Sequence, residues 1–324
     1  MKKQMDIHIG YWSERFGRVV VVYVDSAFLG HAEASHIEDE ILQYMDRNNV
    51  KLQHLLQCSM DGPAVNNAFL HKLNSHLESQ KVPPLVDLGT CRLHPVHTAF
   101  RKAVEALPFD VEQFATDIYQ WFKLSSARRE DYESVQKVLH DLEDLEHCVS
   151  EFFLKPISSR WLYLEPVCRR IIEQFAAPRT YFLTSLPHTG MIASSVTRYN
   201  RIKQCLEDKV TLTPVYLHFV VYIATTLTPF IKLVQKDEPL VHILYDKANE
   251  VMRTCLRMFL KTEVVGEKEG AELYDIDCDK GDNWLQTRDM EIGSGTLSVL
   301  PDDKKKTVRL IESDGQILEG PSTT

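Results

Sequence analysis

The sequence predicts an α/β amino-terminal region joined to an all-α block, and three observations predict it. Residues 5–24 alternate and then run β-branched, as two strands closing a hairpin do. Extended and helical stretches then succeed one another to about residue 107. From Asp110 onward helical spacing recurs six times while strand signals nearly vanish. The expected organisation is an α/β domain over 1–109, a helical domain over 110–262 and an acidic, partly extended or disordered tail over 263–324. A length of 324 residues is a prior for two domains.

The first strand covers Met5 to Trp12, where Met, Ile, Ile and Tyr-Trp alternate with Asp, His and Gly. Ser13-Glu14-Arg15-Phe16-Gly17 makes the turn, and Arg18 to Val24 forms the second strand. Ala34 to Arg47 is helical through Ile37, Ile41, Leu42 and Met45. Leu52 to Cys58 reads as a buried strand, and Phe69, Leu70, Leu73 and Leu77 mark the helix after it. Pro83-Pro84 resets the chain for a further strand over 85–89, followed by a helix from about His94 to Leu107. The sheet is thus expected to hold the hairpin and two further strands.

In the all-α block the helices are expected over Val111–Phe122, Arg129–Phe153, Trp161–Phe175, Ser195–Asp208, Val215–Gln235 and Pro239–Lys261. Prolines at 156, 178, 187, 214 and 239 punctuate them. In the tail, Ala271–Ile276 and Thr307–Ile311 are read as strands.

Composition narrows the function classes. With 44% hydrophobic and 26% charged residues the chain is that of an ordinary globular protein. A formal net charge of -9 argues against a broad nucleic-acid-binding face. Seven cysteines stand without a pairing pattern, and Met1 to Asp6 runs into a strand with no apolar leader behind it. An intracellular, reducing compartment is expected, nuclear or cytoplasmic. The most apolar run, Pro214 to Leu233, is interrupted by His218, threonines, Pro229 and Lys232, which suits a buried helix and no membrane association.

Asp61 is the first candidate site residue. It stands after the 52–58 segment, where Gly62-Pro63 breaks the strand and starts a helix. The carboxyl end of a strand in an open α/β sheet faces the ligand crevice, so Asp61 is placed to hold a divalent metal or act as a base. The competing reading is that it caps the following helix. Asp25 and Asp87 are further carboxylates near strand ends, but only Asp61 is on the crevice side. Cys91, His94 and His97 recur at three-residue steps with metal-ligand chemistry. Their alternative is packing and hydrogen bonding at the start of a helix. Arg128-Arg129 and Arg169-Arg170 read as solvated helix faces with i,i+4 partners rather than phosphate clamps. The chain contains no P-loop, G-x-G-x-x-G, G-x-S-x-G or C-x2-C.

Three stretches occur in order: Ser59-Met60-Asp61-Gly62-Pro63-Ala64-Val65-Asn66, then Leu88 to Phe100 with Cys91 and His94, then Ser159-Arg160-Trp161-Leu162. Together they resemble the domesticated hAT-superfamily transposase proteins of animal genomes, over roughly residues 1–295. The resemblance implies a ribonuclease-H-like mixed sheet interrupted by a large helical insertion. It implies that Asp61 matches the second catalytic acid, Cys91 and His94 a Cys-x-x-His pair, and Arg160-Trp161 the Arg-Trp pair opening the insertion. Against the family pattern, the first strand and its acid have no counterpart. Glu250 and Glu291 are the proposals for a third acid, and a BED-type zinc finger is absent.

The expected function is therefore a transposase-derived scaffold for protein partners that has lost polynucleotidyl transfer and requires no cofactor. In it Asp61 is a vestigial metal ligand, and Cys91, His94, His97, Arg160 and Trp161 are structural, Trp161 as a core aromatic. The alternative is a Mg²⁺-dependent DNA transposase or nuclease using Asp61 with further acids, since phosphodiester chemistry needs two clamped metals. Nucleic acid is a partner implied by the resemblance and disfavoured by the charge.

Overall fold

The computed structural model describes residues 3–30, 33–86, 93–123, 125–143, 152–157, 161–186, 193–207, 212–236, 238, 240–301, 310–311 and 317–318. The described chain is mostly helical with small antiparallel sheets, an α and β mixture. It divides into two compact units, one comprising 1–96 with 233–245, the other 97–232 with 246–324.

In the first unit, β1 (Lys3–Ser13) and β2 (Arg18–Leu29) form the hairpin. Its turn closes through Gly17 N–H donating to Ser13 O at 2.8 Å, with Gly17 at φ 61°, a conformation glycine adopts without strain. Register runs from Ser13↔Arg18 through Gly10↔Val21 to Lys3↔Leu29. A bulge between Ile7 and His8 admits Val24 as the extra residue. Past the bulge, Ala27 and Leu29 are buried, and Met5 packs beside Leu29. This base rests on Ile37 of α1 (Ala34–Arg47) and on Phe69, Leu73 and Leu77 of α2 (Ala64–Ser79), which recur at i, i+4, i+8 along one helix face.

One strand expectation needs correction, and a second lies mostly outside the described residues. Leu52–His54 is a single 3-10 turn and residues 55–58 are extended without strand pairing. Val86 N–H donates to Leu56 O at 2.9 Å, so the 52–58 segment lies beside the start of the 85–89 segment. Among the described residues that is one bond rather than a ladder. An extended segment with no continuous neighbour cannot satisfy its backbone as a strand. Residues 87–89 lie outside the described residues.

The second unit carries most of the helices. α3 (Leu93–Glu105) leads into it, and α4 (Val111–Lys123) packs against α5 (Ser126–Glu143), α6 (Leu164–Glu173) and α8 (Ala193–Glu207). α7 (Ala176–Thr180) continues into a π-helical turn over Tyr181–Ser185. Pro178 marks a helix start, one of the two roles expected of it. It sits in the first turn of α7, where its missing N–H has no helical acceptor to lose. The core is aromatic: Trp121, Phe122, Tyr132, Phe153, Tyr181 and Phe182 are all buried. Their ring centroids lie as close as 4.8 Å for Phe122–Tyr132 and 5.0 Å for Tyr181–Phe182.

α9 (Thr213–Val234) is long and apolar enough to cross a membrane by length and composition. Val215, Leu217, Val220, Ala224 and Leu227 of this helix are buried. Pro229 lies inside it, and the Thr228 hydroxyl donates to Ala224 O at 2.7 Å. α10 (Val241–Arg257) follows.

Beyond α10 the residues to 301 form short helical turns, α11 (Thr262–Val265), α12 (Ala271–Tyr274) and α13 (Ser294–Val299). Leu260, Val265 and Leu273 form a small core there, and Leu297 and Leu300 pack on Val215. The strand expected over 271–276 is thus corrected to a one-turn helix that ends at Tyr274, with Asp275 as its C-cap. β3 (Leu310–Ile311) pairs with β4 (Ile317–Leu318), and the rest of the 307–311 expectation lies outside the described residues.

Candidate functional site

Asp61 is exposed in the extended segment before α2. The Asn66 side-chain amide donates to the Asp61 carboxylate and, at 3.3 Å, to its backbone oxygen. The residue at the helix start is Pro63, without a side-chain cap bond. Asp61 therefore organises the turn by holding Asn66 of the first helical turn, not by capping backbone N–H groups as the competing reading had it. Pro63 can stand there because its fixed φ suits the entry to a helix.

The other acids named from sequence are also engaged locally. Asp25 accepts the Ser26 N–H at 2.8 Å and pairs with Arg47 at 3.6 Å. Glu250 pairs with Lys247 at 2.6 Å. Glu291 accepts the hydroxyl of Tyr222. Among the described residues no three His, Cys, Asp or Glu side chains gather where they could hold a metal. The described donors do not fit a two-metal site. Asp87, Cys91 and Arg160 lie outside the described residues. His94 is exposed and His97 half-buried on α3. Trp161 opens a 3-10 turn over Trp161–Tyr163, and its side chain lies outside what is described.

Two features that the sequence reading did not single out are more developed. The first is the open face of the hairpin. Residues paired across the strands share a face, so Trp12 with Val19, Gly10 with Val21, and His8 with Tyr23 lie together, continued past the bulge by Asp6 with Ser26 and Gln4 with Phe28. Trp12 is 58% exposed, Val21 52%, Tyr23 58% and Phe28 65%. Asp6 carries the one formal charge on this face, and its pKa is lowered by hydrogen bonds, first from Ser26 and then from Gln4. The signal was legible: Val19 to Val24 is apolar on both alternating faces, though only one face meets the helices.

The second lies between α4 and α8. Asp117 is buried and accepts Arg201 Nε at 2.6 Å, Arg201 Nη2 at 2.7 Å and Arg198 Nε at 3.3 Å. One turn along α4, the Arg128 guanidinium stacks 3.8 Å from the Trp121 ring. Arg128 Nη2 also donates to Ser195 Oγ at 2.8 Å. This corrects the reading of Arg128 as a solvated face, whereas Arg169 does pair with Glu165 four residues away, at 2.6 Å. Asp117 was detectable in principle, because it falls on the apolar face of α4 between Phe114, Ile118 and Trp121, where a carboxylate requires a cation.

Comparison with protein-family models, with curated proteins and with solved structures returns no match for this chain.

Proposed function

We propose that the chain is a transposase-derived protein that has lost polynucleotidyl transfer and serves as an intracellular scaffold for protein partners. In this reading the hairpin takes the place of the second and third strands of a ribonuclease-H-like core. The segments joined by the Val86–Leu56 bond take the place of the fourth and fifth. The helical second unit corresponds to the insertion. Asp61, with Asn66 bound to its carboxylate, retains the position of a catalytic acid as a turn-forming residue.

The observation that carries the scaffold reading is the open hairpin face. Trp12, Val19, Val21, Tyr23 and Phe28 present aromatic and β-branched surface in a row, with Asp6 as the one formal charge. Aromatic enrichment and depletion of charge are the compositional marks of an interface centre. The chain's net charge of -9 favours a protein partner over a polyanion.

The test is site-specific photo-crosslinking in cells. A benzoylphenylalanine at position 23 should give discrete protein adducts, lost when Trp12→Ser and Val21→Lys are added. The same probe at His71, exposed on α2, should give none. Equal adduct patterns at both positions, or adducts indifferent to the two substitutions, would contradict the reading.

A further inference from the structure

We propose that the groove between α4 and α8 is a receptor for a phosphoryl group carried on a protein segment, with Arg198 and Arg201 as the anion ligands and Arg128 as the cation behind them. Ser195, Arg198 and Arg201 recur at three-residue steps along α8, which sets them on one face over about 9 Å. Asp117 on α4 receives Arg198 and Arg201, while one turn along, Trp121 holds Arg128, which in turn donates to Ser195. Two guanidinium groups, those of Arg198 and Arg201, thus converge on one buried carboxylate, leaving one positive charge in excess there, with Arg128 held beside Trp121 and Ser195 within an otherwise acidic chain.

The arrangement is pre-set for an oxyanion. Asp117 fixes Arg201 by a two-point fork, and Trp121 fixes Arg128 by stacking and by accepting its Nη1 at 3.1 Å on the backbone oxygen. The terminal amino groups of Arg198 and the Nη1 of Arg201 take no part in these bonds, and both side chains are part-exposed, 36% and 45%. Burial is the foremost cause lowering the Arg128 pKa, and the charge of Arg198 lowers it further. Arg128 and Arg198 therefore already repel one another, a repulsion that a bound dianion relieves. Arginine forks match phosphoryl oxygens in geometry as well as charge.

A cavity of about 290 Å³ adjoins the Arg201–Asp117 pair, walled by Phe109, Phe114, Gln113, Gln204 and Cys205. Asp110 at its rim is engaged in capping α4, its Oδ1 accepting the Gln113 N–H at 2.8 Å. An anion site beside a side-chain-sized, aromatic-walled recess suits one phosphorylated residue within a peptide, the mode in which arginine clusters read phosphorylated segments. A polynucleotide would need a longer basic stripe with several phosphate contacts. The site uses no residue of the hairpin and stands whether or not that face has a partner.

The full chain is titrated by fluorescence anisotropy with a labelled pool of phosphotyrosine and phosphoserine peptides of randomised neutral flanks. The unphosphorylated pool and a labelled 12-nucleotide single-stranded DNA serve as comparisons. The phosphorylated pool should bind at least 10-fold more tightly than its parent. Arg198→Gln should weaken that binding at least 5-fold, and Lys137→Gln, a charge change elsewhere on α5, should not. Arg198 makes only one long contact to Asp117, so this variant reports binding even if Arg201→Gln fails to fold. Equal binding of the two pools, indifference to Arg198→Gln, or tighter and equally Arg198-dependent binding of the DNA would each overturn the proposal.

Discussion

Arg201 forks onto Asp117, its Nε 2.6 Å from Oδ2 and its Nη2 2.7 Å from Oδ1, around a carboxylate whose side chain is only 3% exposed. The pair joins α8 to α4 across 84 residues of sequence. Removing the buried charge strands the cations facing it. Asp117→Asn is expected to cost about 1–3 kcal/mol, discounted from a fully buried pair because both arginines reach solvent. Urea unfolding measures it, and a variant as stable as the parent would show that the fork adds nothing.

The first unit gives a contrasting pair of stability predictions. Leu73 is wholly buried between α2 and the hairpin base, so Leu73→Ala should cost about 2–5 kcal/mol. Val21 lies on the open face, and Val21→Thr, which keeps the β-branched shape, should change stability by less than about 0.5 kcal/mol. Thermal melting of the two variants decides. A large loss at Val21 would mean that the face is already covered.

Gly293 sits at φ 84°, and a Cβ there would stand 2.6 Å from two Tyr222 ring carbons. Gly293→Ala should lower stability by about 1–3 kcal/mol through backbone strain and displacement of that ring. Tyr222→Phe removes the hydroxyl bound to Glu291 and should cost about 1 kcal/mol. The melting temperatures of both variants test the packing of α9 against residues 291–297.

His218 on α9 faces Gly295, where a Cβ would approach its Nδ1 to 2.6 Å. Burial first, then the charge of Arg169, lowers its pKa in the folded protein. The unfolded chain therefore binds the proton more readily, and stability falls as pH drops through the unfolded value near about 6.5. Melting temperature should decline between about pH 7.5 and about pH 5.5. His218→Gln should make that decline shallower, and an identical slope would show that His218 does not contribute to it.

The hairpin and the long helices were legible because period-2 and period-3.6 patterns are local and long enough to be unambiguous. The segment 52–58 was not, since Leu52, Leu55, Leu56 and Cys58 satisfy either a strand or a buried turn, and a strand exists only where a neighbour completes its ladder. Residues 271–276 are too few to fix a period, and Gly270 at φ 50° redirects the chain into a single helical turn. Asp61 was readable as a residue at a turn into a helix, while its bond to Asn66 was not anticipated. The arginine groove was hidden because its members, Asp117, Arg198 and Arg201, meet only in the folded chain. The one trace of it was an acid on an apolar helix face.

On the function proposed above, Asp61 forms a turn and serves no phosphodiester chemistry. The direct measurement is cleavage of supercoiled and linear duplex DNA by the purified full chain with Mg²⁺, beside Asp61→Ala. The account predicts no cleavage above a protein-free blank and no difference between the two proteins. Magnesium-dependent cleavage by the parent that disappears in Asp61→Ala would contradict it.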